Sequence, residues 1–307
     1  MRAFLFPGQG SQAVGMGSAL AEASRAAADV FAEVDEALGQ HLFRLMRDGP
    51  EDELKLTENA QPAIMAHSIA VLRTLGVKPA DAADFVAGHS LGEYSALCAA
   101  GCFDLAITAK LLKVRGQAMQ QAVPVGQGAM AALLGADLEL AQKIADAAAQ
   151  GEVCAVANDN DPTQVVISGH KAAIDRAIEL AKDMGAKRAL PLPVSAPFHC
   201  PLMQPAADAM ADALSYVVLE APSVPLYANV TAQRVTDPDT IRNELVEQVT
   251  GMVRWRESVA NMAAAGVGEF VELGGKVLGG MVKRIAPDAK VTSVVTIDDL
   301  EALAKEL

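Results

Sequence analysis

The 307-residue sequence has no long apolar run, few cysteines, one tryptophan and fewer basic than acidic residues. No stretch approaches the ~18 consecutive apolar residues that a bilayer crossing needs, so no membrane role is expected. The opening Met1–Gly8 holds too short an apolar run for the h-region of a signal peptide, and the expectation is a cytoplasmic protein. Cys98, Cys102, Cys154 and Cys200 contain no Cys-x-x-Cys pair. Cys98 and Cys102 stand at helical spacing without a neighbouring histidine, so they read as small core residues, and neither disulfides nor a zinc site is expected. The formal net charge of -13 argues against nucleic-acid binding, which needs a basic surface to release counterions. An acidic partner would need a local basic patch, for which Lys182, Lys187, Arg188, Arg254, Arg256, Lys276, Lys283 and Arg284 are candidates. Each is more ordinarily a solvated charge.

What is present is a chain that is 51% hydrophobic, enough for a full core in one large domain or two. Its most informative stretch is Gly88-His89-Ser90-Leu91-Gly92, preceded by apolar Phe85-Val86-Ala87 and followed by helix-like Glu93–Leu97. A serine between glycines at a strand-to-helix turn is the pattern of a nucleophile elbow, where a strained backbone exposes the hydroxyl at a helix N-terminus. The Leu91 N–H and the helix dipole would then face a developing oxyanion. A plain glycine-punctuated turn is the alternative.

Alternation of short apolar runs with helical periods predicts an α/β protein with a parallel sheet. Ala3–Phe6 reads as a strand entering the glycine-rich Pro7–Gln12. That loop fits neither the dinucleotide fingerprint nor the P-loop, and suits a loop lending backbone N–H groups. Ser18–Leu38 reads as one helix, Ala63–Leu75 as another with Pro62 at its first turn, and Asp104–Val123 as a third. Arg115, on that third helix, reads as a surface residue by position alone. After Pro124–Gly128 the pattern becomes β-α-β-β-α-β: strands at 129–134, 153–157, 164–168 and 186–192, helices at 137–150 and 171–184. That order is the ferredoxin-like split unit. The expected organisation is therefore a discontinuous domain of residues 1-124 and 196-307 with an inserted subdomain of residues 125-195. Beyond it, helices are expected at 204–214, 238–250, 255–265 and 277–285, and strands at 225–228, 269–273 and 291–295.

A serine hydroxyl needs a base to accept its proton. His41 and His67 lie in or near helices, His170 precedes a helix, and His89 as an extended-chain neighbour of Ser90 points to the opposite face. His199 lies in Ser195-Ala196-Pro197-Phe198-His199-Cys200-Pro201, a proline-restricted loop at the domain junction. General base and structural loop histidine both stay open for it, and spacing supplies no carboxylate partner.

Phe6-Pro7-Gly8-Gln9-Gly10-Ser11-Gln12, Gly88–Glu93, Arg115-Gly116 and Pro197-Phe198-His199-Cys200 occur in this order in one chain. Together they resemble the malonyl-CoA:acyl carrier protein transacylases, the FabD type of bacterial fatty acid synthesis, over essentially the whole length. The resemblance implies an α/β-hydrolase-like parallel-sheet core with a ferredoxin-like insertion. It also implies transfer of a malonyl group from malonyl-CoA to the phosphopantetheine thiol of holo acyl carrier protein through a malonyl-serine. It assigns Ser90 as nucleophile, His199 as base, the Gln9 and Leu91 N–H groups as oxyanion hole and Arg115 as partner of the malonyl carboxylate. The Gln248 backbone carbonyl would orient the histidine, and Gln61 and Asn158 would line the pocket. Phe198 beside the histidine implies malonyl over methylmalonyl. No metal and no permanently bound cofactor are implied, and the carrier is expected to be an acidic, transient partner. A trans-acting polyketide synthase acyltransferase, a serine thioesterase or hydrolase, and a non-catalytic carrier-docking module are the competing readings.

Overall fold

A computed structural model describes all 307 residues. Ten strands form: β1 (Arg2–Phe6), β2 (Phe85–Gly88), β3 (Gly128–Leu134), β4 (Cys154–Asp161), β5 (Gln164–His170), β6 (Arg188–Pro191), β7 (Leu226–Tyr227), β8 (Arg234–Val235), β9 (Glu269–Leu273) and β10 (Lys290–Val294). Six build one sheet in the order β10-β9-β1-β2-β7-β8, and the other four a second sheet in the order β4-β5-β3-β6. The protein is α/β. In the larger sheet only the β7-β8 pair is antiparallel.

The apolar runs of β1, β2 and β9 follow from burial on both faces, the usual condition of a parallel sheet. Successive side chains alternate between faces. Phe4, Phe6, Val86, Val271 and Leu273 therefore enter the core shared with the helices Arg25–Leu38, Thr57–Leu75 and Leu105–Ala122. Ala3, Leu5, Phe85, Ala87 and Phe270 enter the opposite core, with Trp255, Val259 and Met262 of the helix Trp255–Ala264 and Leu278 and Val282 of Leu278–Ile285. The register pairs Phe6 with Gly88, so the loops leaving the carboxyl ends of β1 and β2 emerge side by side.

The second sheet has three antiparallel pairings and a core of its own, closed by the helices Leu138–Ala149 and Lys171–Asp183. Its strand β4 runs to Asp161, four residues past the end expected from the sequence, because its tail is held by the larger unit. Asn158 bridges to Val253, and the buried carboxylates Asp159 and Asp161 pair at 2.8 Å with Arg256 and Arg284. Those two arginines, candidates for a basic patch, are thus engaged within the protein.

Several elements differ from the sequence expectation. Ser18–Leu38 is two helices, Ser18–Ala23 and Arg25–Leu38, because Ser24 turns extended and its hydroxyl accepts the Ala27 N–H as an N-cap. The helix expected at Ala63 begins at Thr57, with Pro62 inside it at the cost of one backbone hydrogen bond. Packing holds that early turn: a Cβ on Gly116 would stand 2.5 Å from Glu58 Cα, so only glycine lets the two helices approach here. The short helices Leu42–Asp48 and Glu51–Lys55 and the closing helix Ile297–Ala304 lie where no element was expected. No helix is long and apolar enough to cross a membrane.

Candidate active site

The turn after β2 has the geometry of an elbow. Ser90 takes φ 54°, in the left-handed region that side chains rarely adopt. A Cβ on Gly88 would fall 1.9 Å from the Gly92 carbonyl, and one on Gly92 2.2 Å from the Phe6 oxygen, so both glycines are required by contact. Asn229, just beyond β7, clamps the strained peptide: its Oδ1 accepts the Ser90 N–H at 2.8 Å and its Nδ2 donates to the Gly88 carbonyl at 2.7 Å.

Of the five histidines, His199 reaches the serine, its Nε2 lying 2.8 Å from Ser90 Oγ. It too has a left-handed backbone, φ 56°. Its Nδ1 lies 2.8 Å from the backbone carbonyl of Gln248, in the last turn of the helix Pro238–Thr250. A carbonyl can only accept, so Nδ1 carries the proton and the Nε2 lone pair faces the serine hydroxyl. Helix-terminal carbonyls lack an intrahelical partner, and this one is used here in place of a carboxylate. Burial, and next the positive Arg115, press the His199 pKa down to about 3, which keeps the imidazole neutral at ordinary pH.

The other histidines are engaged elsewhere. His89 Nε2 contacts Asn160 Oδ1 at 2.8 Å, His67 Nδ1 lies 3.2 Å from the Gly274 carbonyl, and His170 Nδ1 accepts the Val153 N–H. His41 precedes the helix Leu42–Asp48.

Arg115 departs most from the positional expectation: it is 1% exposed, not a surface residue. Its helix packs against Thr57–Leu75 on one side, and its guanidinium lies 5.7 Å from the Tyr94 ring centroid. Nη1 donates to Gln61 Oε1 at 2.8 Å, and Nη2 donates to Gln248 Oε1 at 2.7 Å and to Ser90 Oγ at 3.2 Å. Nε has no partner, and no carboxylate forms an ion pair with this arginine. A buried cation held only by neutral oxygens is costly, and an anion arriving beside Ser90 would relieve it.

These groups share a cavity of about 490 Å³ lined by Gln9, Gln61, Ser90, Leu91, Arg115, Asn158, Phe198 and His199, with Met119, Met130 and Leu192 among its apolar walls. Gln248 stands behind it. The backbone N–H groups of Gln9 and Leu91 find no acceptor within the protein, and both residues line the cavity together with Ser90. A second cavity of about 480 Å³ lies beyond the Ser11–Gly17 loop, around His67 and Lys276, and holds no hydrogen-bonded nucleophile and base.

Two further residues belong to the site. Asn229 sits past the carboxyl end of β7, the strand paired with β2, a position where ligand-side groups collect. Glu93, 1% exposed, is a carboxyl inside an otherwise apolar helical stretch, a pattern that flags a buried polar network.

A strained serine hydrogen-bonded to a buried histidine, with unpartnered backbone N–H groups among the cavity-lining residues, is an arrangement able to support acyl chemistry on a serine nucleophile. The family model described as "Acyl transferase domain" matches residues 3–276, and the chain belongs to this acyltransferase family. It is 47% identical over 306 residues to the malonyl CoA-acyl carrier protein transacylase of Escherichia coli (strain K12), with 99% of each chain covered. It is 44% identical over 310 residues to the enzyme of that name from Bacillus subtilis (strain 168), covering 99% of this chain and 96% of the relative. Among solved structures, the acyl-carrier-protein-S-malonyltransferase of Bartonella henselae superposes with a TM-score of 0.97 at 51% identity, covering 99% of this chain and 98% of the other. A malonyl-transacylase in complex with a type II polyketide synthase acyl-carrier protein gives a TM-score of 0.97 at 42% identity, covering 100% and 99%.

Proposed function

We propose that this enzyme transfers a malonyl group from malonyl-CoA to the phosphopantetheine thiol of holo acyl carrier protein, by way of an ester on Ser90. The observation that carries the reading is Arg115: a buried guanidinium without a carboxylate partner, with Nη2 3.2 Å from the Ser90 oxygen. A carboxylate two bonds beyond an acyl carbon attached to Oγ falls within its reach, whereas an acetyl group leaves the charge unpaired.

In the first half-reaction His199 Nε2 takes the Ser90 proton as Oγ attacks the thioester carbonyl. The Gln9 and Leu91 N–H groups receive the oxyanion, each donor of this kind being worth about 3 kcal/mol in the transition state. The intermediate collapses with transfer of the proton from His199 to the departing CoA sulfur. The carrier thiol then gives its proton to His199, attacks the malonyl ester, and leaves as malonyl thioester while Ser90 recovers its proton. The malonyl carboxylate also offsets the Arg115 charge that depresses His199, so the substrate raises the basicity of its own catalyst. Gln61 supports Arg115, Asn158 lines the pocket, and Phe198 crowds an α-methyl branch, favouring malonyl over methylmalonyl.

In this reading residues 125-195 form the inserted subdomain that closes the cavity over the core of residues 1-124 and 196-307. The chemistry needs no metal or resident cofactor. A cytoplasmic enzyme meeting an acidic carrier fits the setting; with a chain charge of -13, repulsion would keep that encounter transient. The carrier belongs to fatty acid synthesis in the primary reading. A polyketide carrier is the second, favoured by the relative solved with a type II polyketide synthase acyl-carrier protein.

The test is intact-protein mass spectrometry after mixing with malonyl-CoA. One malonyl mass is expected, mapped to the Ser90 peptide and absent from Ser90→Ala. An unmodified wild-type protein would refute the reading.

A further inference from the structure

Gln248 stands between two buried side chains, Glu93 and Arg115, that form no ion pair or hydrogen bond with each other. Its Nε2 donates to Glu93 Oε2 at 2.8 Å and to the Ser90 carbonyl at 3.0 Å, and lies 3.3 Å from Asn229 Oδ1. Its Oε1 accepts from Arg115 Nη2 at 2.7 Å. Acceptors on one side and a guanidinium on the other decide which end of the amide faces which. Turned over, the amide would set hydrogens against hydrogens at Arg115, and oxygen against the Ser90 carbonyl and against the Glu93 Oε2 that already accepts the Asn229 N–H. Glu93 Oε2 also accepts the Asn229 backbone N–H at 3.1 Å, and the Asn229 side chain in turn holds the Ser90 peptide. Glu93 takes no part in the transfer steps above.

We propose that Glu93 is a positioning residue for acyl selectivity: it orients Gln248, whose amide oxygen then holds Arg115 with guanidinium hydrogens free for the acyl carboxylate beside Ser90. The inference rests on the acyl-transfer reading of Ser90 and Arg115.

The state of Glu93 matters as much as its place. Arg115 faces it from the helix Leu105–Ala122, Glu244 and Gln248 from the helix Pro238–Thr250, Asn229 from the loop after β7, and Tyr94 adjoins it. Burial dominates these influences and raises the Glu93 pKa to about 8, with the Gln248 and Asn229 hydrogen bonds and Arg115 opposing and Glu244 adding to the rise. Below that pH Glu93 is neutral, so it accepts hydrogen bonds without cancelling the Arg115 charge. Above it, Glu93 becomes the counter-charge that the substrate otherwise supplies.

The test measures kcat/KM for malonyl and acetyl transfer in wild type, Glu93→Gln and Glu93→Ala, at about pH 7 and about pH 9, with thermal melting of each. Glu93→Gln keeps an oxygen acceptor and should hold its malonyl-to-acetyl ratio within about threefold of wild type at the lower pH. Glu93→Ala strands the Gln248 amide and should lower that ratio about tenfold, the effect of one lost hydrogen bond to a polar network. The wild-type ratio should fall between the two pH values, and that of Glu93→Gln should not. Equal loss of both acyl groups in a folded Glu93→Ala would overturn the proposal. If that variant does not fold, the pH comparison decides, and the same pH response in wild type and Glu93→Gln would overturn it. A wild-type protein that takes up no malonyl sinks the acyl-transfer reading and this inference with it. Malonyl uptake with an unchanged ratio in the variants sinks the inference alone.

Discussion

Replacing Arg115 with methionine keeps most of the side-chain volume and removes the charge, so it separates recognition of the acyl carboxylate from packing. The guanidinium has an unused Nη1 hydrogen, and its Nη2 hydrogen rests on Ser90 Oγ at 3.2 Å. Once Oγ is acylated, both can turn to the malonyl carboxylate. Two charge-assisted hydrogen bonds at about 1.5–3 kcal/mol each amount to about 3–6 kcal/mol. At 1.36 kcal/mol per tenfold, malonyl kcat/KM should fall by about 10²–10⁴. Acetyl transfer should hold or rise, because the wild type leaves the cation unpaired with acetyl and because removing Arg115 relieves a depression of His199. Arg115→Lys should recover only part of the loss, since an ammonium cannot make the two-point contact. The assay is the initial rate of carrier acylation at sub-saturating malonyl-CoA and acetyl-CoA, read by mass spectrometry. Malonyl kcat/KM within about threefold of wild type, or an equal fall for both acyl groups, would refute the reasoning.

Phe198→Ala should open the cavity wall beside His199 and raise methylmalonyl relative to malonyl transfer; an unchanged ratio of adduct masses would speak against the crowding argument. Gly88→Ala should destabilise by about 1–3 kcal/mol or more, because the added Cβ meets backbone that cannot rotate away; a wild-type melting temperature would contradict the elbow packing. Stability should fall toward acid as well as toward alkali. Buried His199 and His67 have lowered pKa values, so below about pH 6.5 the unfolded chain binds protons that the folded one refuses. Glu93 acts in the other direction: between its ordinary 4.5 and about 8 the folded chain keeps a proton that the unfolded one releases, so stability drops as pH rises through that window. Denaturant midpoints across pH should show both limbs, with His199→Gln flattening the acid limb and Glu93→Gln the alkaline one.

The elbow was legible because three properties coincide in a few consecutive residues: an apolar strand, flanking glycines and a helix start. His199 was legible only as a loop histidine that could serve as base, since 109 residues separate it from Ser90. Arg115 was illegible by position, because a helical arginine with charged neighbours looks solvated until the Gly116 contact presses its helix onto Thr57–Leu75. The resemblance pointed to it, and the structure shows what local pattern does not: the charge is buried without a counterion. Asn229 and Glu93 carry no local signal of their joint role, since the hydrogen bond between them spans 136 residues of chain. The helix start at Thr57 is not legible in the sequence, because proline ordinarily marks a first turn, whereas here tertiary packing maintains the turn before Pro62.

The central claim is that Ser90 relays an acyl group between two thiols, and the direct measurement is a chase of the isolated malonyl-enzyme. After removal of free malonyl-CoA, addition of holo acyl carrier protein should strip the malonyl mass from Ser90 and deliver an equal amount to the carrier, with slow loss in its absence. Release as free malonate at the same rate with and without the carrier would contradict the account and mark the site as that of a hydrolase.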